Sequence, residues 1–329
     1  MTAAGALVVE SLTVDYRSRG GAVRAVDGVS LVLGAGEALG VVGESGSGKS
    51  TFALALAGLL GPAEATVRAT RLAFGDADLA RGGDGLRTRV LGRKVGFVFQ
   101  NPLTALNPVL SIGRQMTDHM RWHLRLPARA AEARAEALLA EVGIADPGRR
   151  LGAYPHEFSG GMLQRVTIAM ALACDPEWLI ADEPTTALDA SVQADVVDLV
   201  ARLRAKRGLG LVWITHDLAL LSRIVDRVAV MYAGRLVEIG PAAAVYGAPR
   251  HPYTDALLGS IRSLWEEEGG PFRTIEGAPP SLADRRPDCA FRPRCPRQTG
   301  RCATAPGLAP VGPAHDAACW HPAGREDAA

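Results

Sequence analysis

At residues 38–60 the chain reads ALGVV, then GESGSGKS, then TFALALAGLL, and this stretch decides the fold. The apolar run 38–42 has the length of a buried strand, and residues 50–60 have the texture of a helix. Between them, Gly43-Glu44-Ser45-Gly46-Ser47-Gly48-Lys49-Ser50 fits G-x-x-x-x-G-K-[ST] at every fixed position. Glycines let the backbone wrap a phosphate with its N–H groups pointing inward. The helix N-terminus behind the loop adds partial positive charge. Lys49 is placed to reach β- and γ-phosphates, and the Ser50 hydroxyl to ligate Mg²⁺.

A metal partner is expected on a second strand, and WLIADEP at 178–184 supplies one. Asp182 would hold Mg²⁺ there, and Glu183 could polarise an attacking water as general base. Two carboxylates at a strand end say little alone. Beside a phosphate loop they say much more.

Farther out, 6–16 and 29–33 alternate like strands, with a Gly-containing break between them. Residues 95–99, 178–181, 210–214 and 227–231 are further strand-like runs. Helical patterns occupy 189–206 and 217–225, and strands alternating with helices predict a parallel α/β sheet. From about 103 to 165, Ala, Arg, Glu and Leu recur at helical spacing, which predicts a helical insert. Beyond about 246 the composition shifts. Residues 271–322 hold ten of 21 prolines and four of five cysteines, so little regular structure is expected without staples.

The 329 residues suggest two domains, and 48% hydrophobic against 22% charged residues excludes disorder for most of the length. Thirty-six basic and 35 acidic residues leave a net charge of +1, which argues against a nucleic-acid partner. No run of 18 apolar residues predicts a membrane span. The N-terminus lacks the basic region of a secretory signal, so a cytosolic location is expected.

Between the two phosphate-site motifs lies FSGGMLQR, 158–165. With it the sequence resembles the ATP-binding cassette (ABC) ATPases over about residues 6–245. That family carries L-S-G-G-Q at this point. Ser159, Gly160 and Gly161 match, Phe158 replaces Leu and Met162 replaces Gln. Gln100 matches the family's Q-loop, Thr186-Ala187-Leu188-Asp189 its D-loop, His216 its switch histidine, and Tyr16 the aromatic that stacks on adenine. The resemblance implies a P-loop NTPase fold: a RecA-like parallel core, an N-terminal antiparallel β subdomain and a helical insert. It implies Mg·ATP bound at Tyr16, Gly43, Ser45, Gly46, Gly48, Lys49, Ser50, Thr51 and Gln100, with Ser50, Gln100 and Asp182 toward Mg²⁺. Glu183 would activate water, and His216 and Lys49 would stabilise developing charge. Ser159 and Gly161 would close over ATP held by a second cassette.

Several segments resemble the dipeptide and oligopeptide (and nickel) importer branch: FVFQNPLTALNPVLSIGRQ (97–115), YPHEFSGGMLQRV (154–166), ADEPTTALDASVQ (181–193) and PRHPYTDALLGSI (249–261). The implied role is an ATPase that energises peptide import from the cytoplasmic face of the inner membrane. The implied partners are two permeases, a second related ATPase in a heterodimer, and an extracytoplasmic solute-binding protein. Residues 100–115 would meet the permeases. Nickel or another small solute is the alternative cargo. A soluble, non-transport ABC ATPase is the more distant reading. The implied division is a cassette at 1–245 and a transporter-type C-terminal module at 246–329.

That module's cysteines are spaced C-x₅-C-x₆-C-x₁₆-C: Cys289, Cys295, Cys302 and Cys319. Zinc sites usually show C-x₂-C, which is missing here. A [4Fe–4S] cluster is a second reading, raised by the resemblance, and unmetallated thiols or a disulfide are the third. Arg285, Arg286, Arg292, Arg294, Arg297 and Arg301 fall within 17 residues and would suit an anionic cluster. Cys174, in an Ala-rich helical run, reads as a small core residue.

Overall fold

The computed structural model describes residues 5–18, 21–262, 274–283 and 287–323. Its strands are β1 (Leu7–Ser18), β2 (Gly21–Leu33), β3 (Ala38–Val42), β4 (Ala65–Arg68), β5 (Arg71–Phe74), β6 (Ala77–Asp78), β7 (Val95–Val98), β8 (Trp178–Asp182), β9 (Gly210–Ile214), β10 (Arg227–Tyr232), β11 (Arg235–Pro241), β12 (Ala309–Gly312) and β13 (His315–Ala317).

They form two sheets. One is antiparallel, in the order β2-β1-β5-β6 with β4 also on β1. The other runs β12-β13-β11-β10-β3-β9-β8-β7 and is parallel from β10 to β7. The parallel strands are apolar apart from Arg227 at the start of β10 and Asp182 at the end of β8, because both faces are covered. In β3, Ala38 and Val42 join one core, while Leu39 and Val41 join the other. The helix Lys49–Leu56 fills the space between the sheets, burying Phe52, Ala53, Ala55 and Leu56. The opposite core packs Met116, Leu138, Val166 and Val200, from four further helices, on the main sheet.

The expected insert is present as helices Pro102–Ala105, Ile112–Leu124, Ala128–Glu141, Pro147–Leu151 and Gly160–Ala171. The last one runs beyond the expected end at 165, because its apolar side chains Val166, Ile168 and Ala169 are core residues. The expected break between β1 and β2 is shorter than the sequence suggested. Residues 21–28 (GAVRAVDG) form the first part of β2, burying Ala25 and Val26, and Arg24 there pairs across the ladder with Asp15 at 2.8 Å. The expected helix 217–225 is reduced to one turn, Leu218–Leu221, capped by the Asp217 carboxylate. In the Pro-rich tail a hairpin forms nonetheless: β13 pairs with β11 at Glu238↔Ala317, so the tail extends the main sheet.

Candidate functional site

Three adjacent strands set the site. Asp182 at the end of β8 and Val41 near the end of β3 both lie opposite Ile214, which ends β9. The loops that follow therefore open on one edge, the carboxyl edge where parallel sheets bind ligands.

The loop after β3 is built for close approach. Gly43, Gly46 and Gly48 have φ of 153°, 78° and 99°. A Cβ on Gly43 would sit 2.2 Å from the Met231 carbonyl oxygen, and one on Gly48 2.3 Å from that of Ala25. Only glycine fits these two positions. Lys49 is folded beneath the loop, its Nζ donating to the carbonyls of Gly43 (2.8 Å) and Glu44 (2.9 Å). Burial lowers its pKa, against the pull of Glu183, Asp182 and Glu44.

The Ser50 hydroxyl donates to Asp182 Oδ1 at 3.0 Å. Burial raises the Asp182 carboxyl above its ordinary range. A hydroxyl and a buried carboxylate, both hard oxygens, fit Mg²⁺, which would favour the ionised carboxylate. Glu183 has a left-handed backbone, φ 44°, costly for a residue with a side chain. Its N–H donates to the Ile214 carbonyl at 2.9 Å. Its Oε2 is reached by Gln100 Nε2 at 3.2 Å, Thr186 Oγ1 at 3.0 Å and His216 Nδ1 at 3.4 Å. One carboxylate oxygen thus meets side chains from three loops.

Tyr16 joins this group by its hydroxyl, 3.4 Å from Thr51 Oγ1. Ser45 lies in the same loop, between the two tight glycines. The signature residues form a second locus. Ser159 caps the helix Gly160–Ala171, its Oγ accepting from the Met162 N–H. A Cβ on Gly161 would meet Val192 Cγ1 at 2.7 Å, and one on Gly160 Leu188 Cδ2 at 3.7 Å. Their neighbours are thus the segment around Asp189, which starts the helix Ala190–Arg207. Among the described residues no hydrogen bond or ion pair joins Ser159, Gly160 or Gly161 to residues 43–51.

An apolar groove of about 200 Å³ opens nearby, lined by Leu59, Phe97, Phe99, Leu106, His119 and Met170. Leu103 and Val109, in the 100–115 stretch, are 61% and 75% exposed.

The four tail cysteines line one cavity of about 10 Å³. Burial raises the thiol pKa of Cys289, Cys295 and Cys319, the last to about 11. Among the described residues no three His, Cys, Asp or Glu side chains stand so as to hold a metal ion. The zinc and cluster expectations thus find no assembled site. Of the arginines expected to face a cluster, Arg292 and Arg297 do line this cavity, Arg292 also facing Asp288, whereas Arg294 faces Glu44 and Arg301 stacks on Trp320. Arg285 and Arg286 lie outside the described residues. Cys174 is buried, its thiol pushed up to about 11, as expected of a core residue.

Thr186 was read from the sequence only as part of the D-loop and Arg294 only as a neighbour of the tail cysteines, and Tyr253 had no role assigned to it. The available signal was Glu44, an acid inside a phosphate loop, which requires a counter-cation from somewhere.

Among the described residues no helix is long and apolar enough to cross a membrane. A family model described as ABC transporter matches residues 26–186, and one described as oligopeptide/dipeptide transporter, C-terminal region, matches 237–302. The chain is 43% identical to the dipeptide transport ATP-binding protein DppD of Bacillus subtilis (strain 168), covering 95% of this chain and 94% of that one. It is also 43% identical to DppD of Escherichia coli (strain K12), covering 96% of each. A dimeric post-hydrolysis structure of the ATP-binding cassette MJ0796 bound to ADP and Pi superposes with a TM-score of 0.63 at 26% identity, covering 72% of this chain and 98% of that one. The chain belongs to the ABC transporter ATPases, in the dipeptide and oligopeptide importer family.

Proposed function

We infer that the chain is the ATP-binding subunit of a peptide importer, which hydrolyses ATP to drive dipeptides or oligopeptides through membrane permeases. The observation that carries the hydrolytic part is the Glu183 oxygen met by Gln100, Thr186 and His216, next to Lys49, Ser50 and Asp182. Gly43, Ser45, Gly46, Gly48, Lys49, Ser50 and Thr51 cradle the phosphates, and Tyr16 supports the adenine. Ser50, Asp182 and Gln100 would hold Mg²⁺, which when bound draws charge from the phosphate oxygens. Glu183 takes a proton from the attacking water, and Thr186 and Gln100 orient its carboxylate. Lys49 leaves the Gly43 and Glu44 carbonyls to meet the phosphates, and His216 donates to the charge that develops on the γ-phosphate.

Ser159, Gly160, Gly161 and Asp189 act across a dimer interface, which their separate location supports. The partner cassette is a related chain, so the pair is a heterodimer. One of the two permeases docks on the apolar groove of this chain, whose lining includes Leu59, Phe97, Phe99 and Leu106, and exposed Leu103 and Val109 in the adjoining 100–115 stretch also favour an apolar occupant. A solute-binding protein delivers peptide on the far side, and the chain sits peripherally on the inner membrane. A cassette at 1–245 and a module at 246–329 fit the change of composition, and two separate family regions, 26–186 and 237–302, support a two-part division. A [4Fe–4S] reading of the module rests only on four cysteines around one cavity. Anaerobic purification and iron analysis test it, and colourless, iron-free protein overturns it.

The transport reading is tested in proteoliposomes containing this chain, its permeases and the second cassette. Dipeptide with its binding protein should stimulate ATP hydrolysis and accumulate inside. Hydrolysis indifferent to peptide would refute it.

A further inference from the structure

Glu44 is an acidic residue in a loop that binds polyphosphate, and the C-terminal segment holds it from outside. Arg294 forks onto its carboxylate, Nη1 donating to Oε2 at 2.7 Å and Nη2 to Oε1 at 2.9 Å. The Arg294 side chain is 5% exposed. It also donates to the Tyr232 hydroxyl at 3.2 Å and to the carbonyls of Ile275 (3.2 Å) and Glu276 (2.9 Å). The Glu44 N–H donates to the Tyr253 hydroxyl at 2.7 Å. The Glu44 carbonyl accepts from Lys49 Nζ. Every polar group of Glu44 is engaged, two of them by residues 250 and 209 positions away.

The sign of the charge gives this arrangement a purpose. A free carboxylate here would attract Lys49, whose ammonium already feels it. It would also repel the triphosphate that Lys49 is meant to meet. A bidentate guanidinium neutralises it and fixes its direction, which a lysine would do less well. Tyr232, Tyr253 and Phe291 pack ring to ring beneath, with centroids 4.5–5.4 Å apart, so the clamp has a stiff base. Arg294 ends the one-turn helix Arg292–Arg294, between Cys289 and Cys295.

We propose that Arg294 and Tyr253 are positioning residues of the ATP site: acting through Glu44, they keep the phosphate loop open and Lys49 available, so the C-terminal segment sets nucleotide affinity. The test is mant-ATP binding to the full chain with Mg²⁺. Arg294→Met keeps the stem but removes the charge, and should raise the Kd about tenfold, the effect of about 1.4 kcal/mol. Adding Glu44→Gln removes the stranded carboxylate and should return the Kd to within about twofold of wild type. A merely structural arginine predicts no such rescue. Should Arg294→Met fail to fold, Glu44→Gln alone decides: the proposal requires ATP binding no weaker than wild type, and a packing role requires weaker. An unchanged Kd in folded Arg294→Met, or a double variant as weak as the single, overturns the proposal. Binding by wild type and its loss in Lys49→Ala check the nucleotide site separately.

Discussion

Replacing Glu183 by Gln isolates the chemistry from the architecture. The change conserves size, and the Glu183 N–H stays free to hold the Ile214 carbonyl at 2.9 Å. An amide oxygen can still accept from Thr186 and Gln100, which now reach Oε2 at 3.0 and 3.2 Å. The amide cannot take a proton from water. General-base catalysis contributes about 10²–10⁴ in rate, or about 3–5 kcal/mol of barrier. The binding groups Lys49 and Ser50 are untouched, so Kd for ATP should stay within about threefold. The assay is single-turnover phosphate release in the assembled complex, with mant-ATP titration of the same preparation. A rate loss under tenfold would refute the assignment of Glu183 as base. Loss of ATP binding would show instead that Glu183 supports the loop.

Gly48→Ala should weaken ATP binding more than tenfold and lower stability by about 2 kcal/mol, since its Cβ would lie 2.3 Å from the Ala25 carbonyl at a φ of 99°; calorimetric melting and mant-ATP titration check both. His251 is buried and neutral, its pKa lowered to about 4 from 6.5 by burial, and its Nδ1 accepts from the Tyr253 N–H. Between those values the unfolded chain binds a proton that the native one refuses. Stability should therefore fall as pH drops from about 6.5 to about 4, by up to about 3 kcal/mol. Urea melts of wild type and His251→Gln measure the slope, and equal slopes would refute the attribution. Leu103→Asp should cut permease co-purification about tenfold with an unchanged melting temperature, because the side chain is 61% exposed beside the apolar groove.

Much of the site was legible because it obeys local rules. Residues 38–50 announce a strand, a phosphate loop and a helix, and Gly43 and Gly48, where a Cβ would meet a backbone carbonyl oxygen at 2.2 and 2.3 Å, are fixed positions of that motif. Asp182 and Glu183 were readable because they end an apolar run. The start of β2 was less legible: Gly21, Arg24, Asp27 and Gly28 interrupt the alternation over 21–28, and the Arg24–Asp15 pair across the ladder is a contact that no local pattern shows. Contacts of Glu44 with Tyr253 and Arg294 span more than two hundred positions, beyond any periodicity or spacing rule. The tail misled for a related reason. Its arginines were matched to the nearest plausible anion in sequence, whereas Arg294 finds its carboxylate on the phosphate loop.

The contacts on Glu183 also bear on how hydrolysis is controlled. Gln100 follows β7, Thr186 follows β8 and His216 follows β9, so three neighbouring strand ends converge on one oxygen. A displacement of the Gln100 loop of about 1 Å would stretch its 3.2 Å bond beyond hydrogen-bond range and release one constraint on the base. Phe99 lines the apolar groove, and exposed Leu103 lies three residues beyond Gln100. An occupant of that groove would therefore touch the segment that carries Gln100, the residue that reaches Glu183. Glu44 is restrained from the opposite side by Arg294 and Tyr253, so binding and hydrolysis have separate handles. Gln100→Ala should accordingly lower the rate of phosphate release by a larger factor than it raises the Kd for ATP, and Arg294→Met should do the reverse. Measuring both quantities on both variants tests that separation directly, and parallel losses in the two would show a single mechanically coupled site.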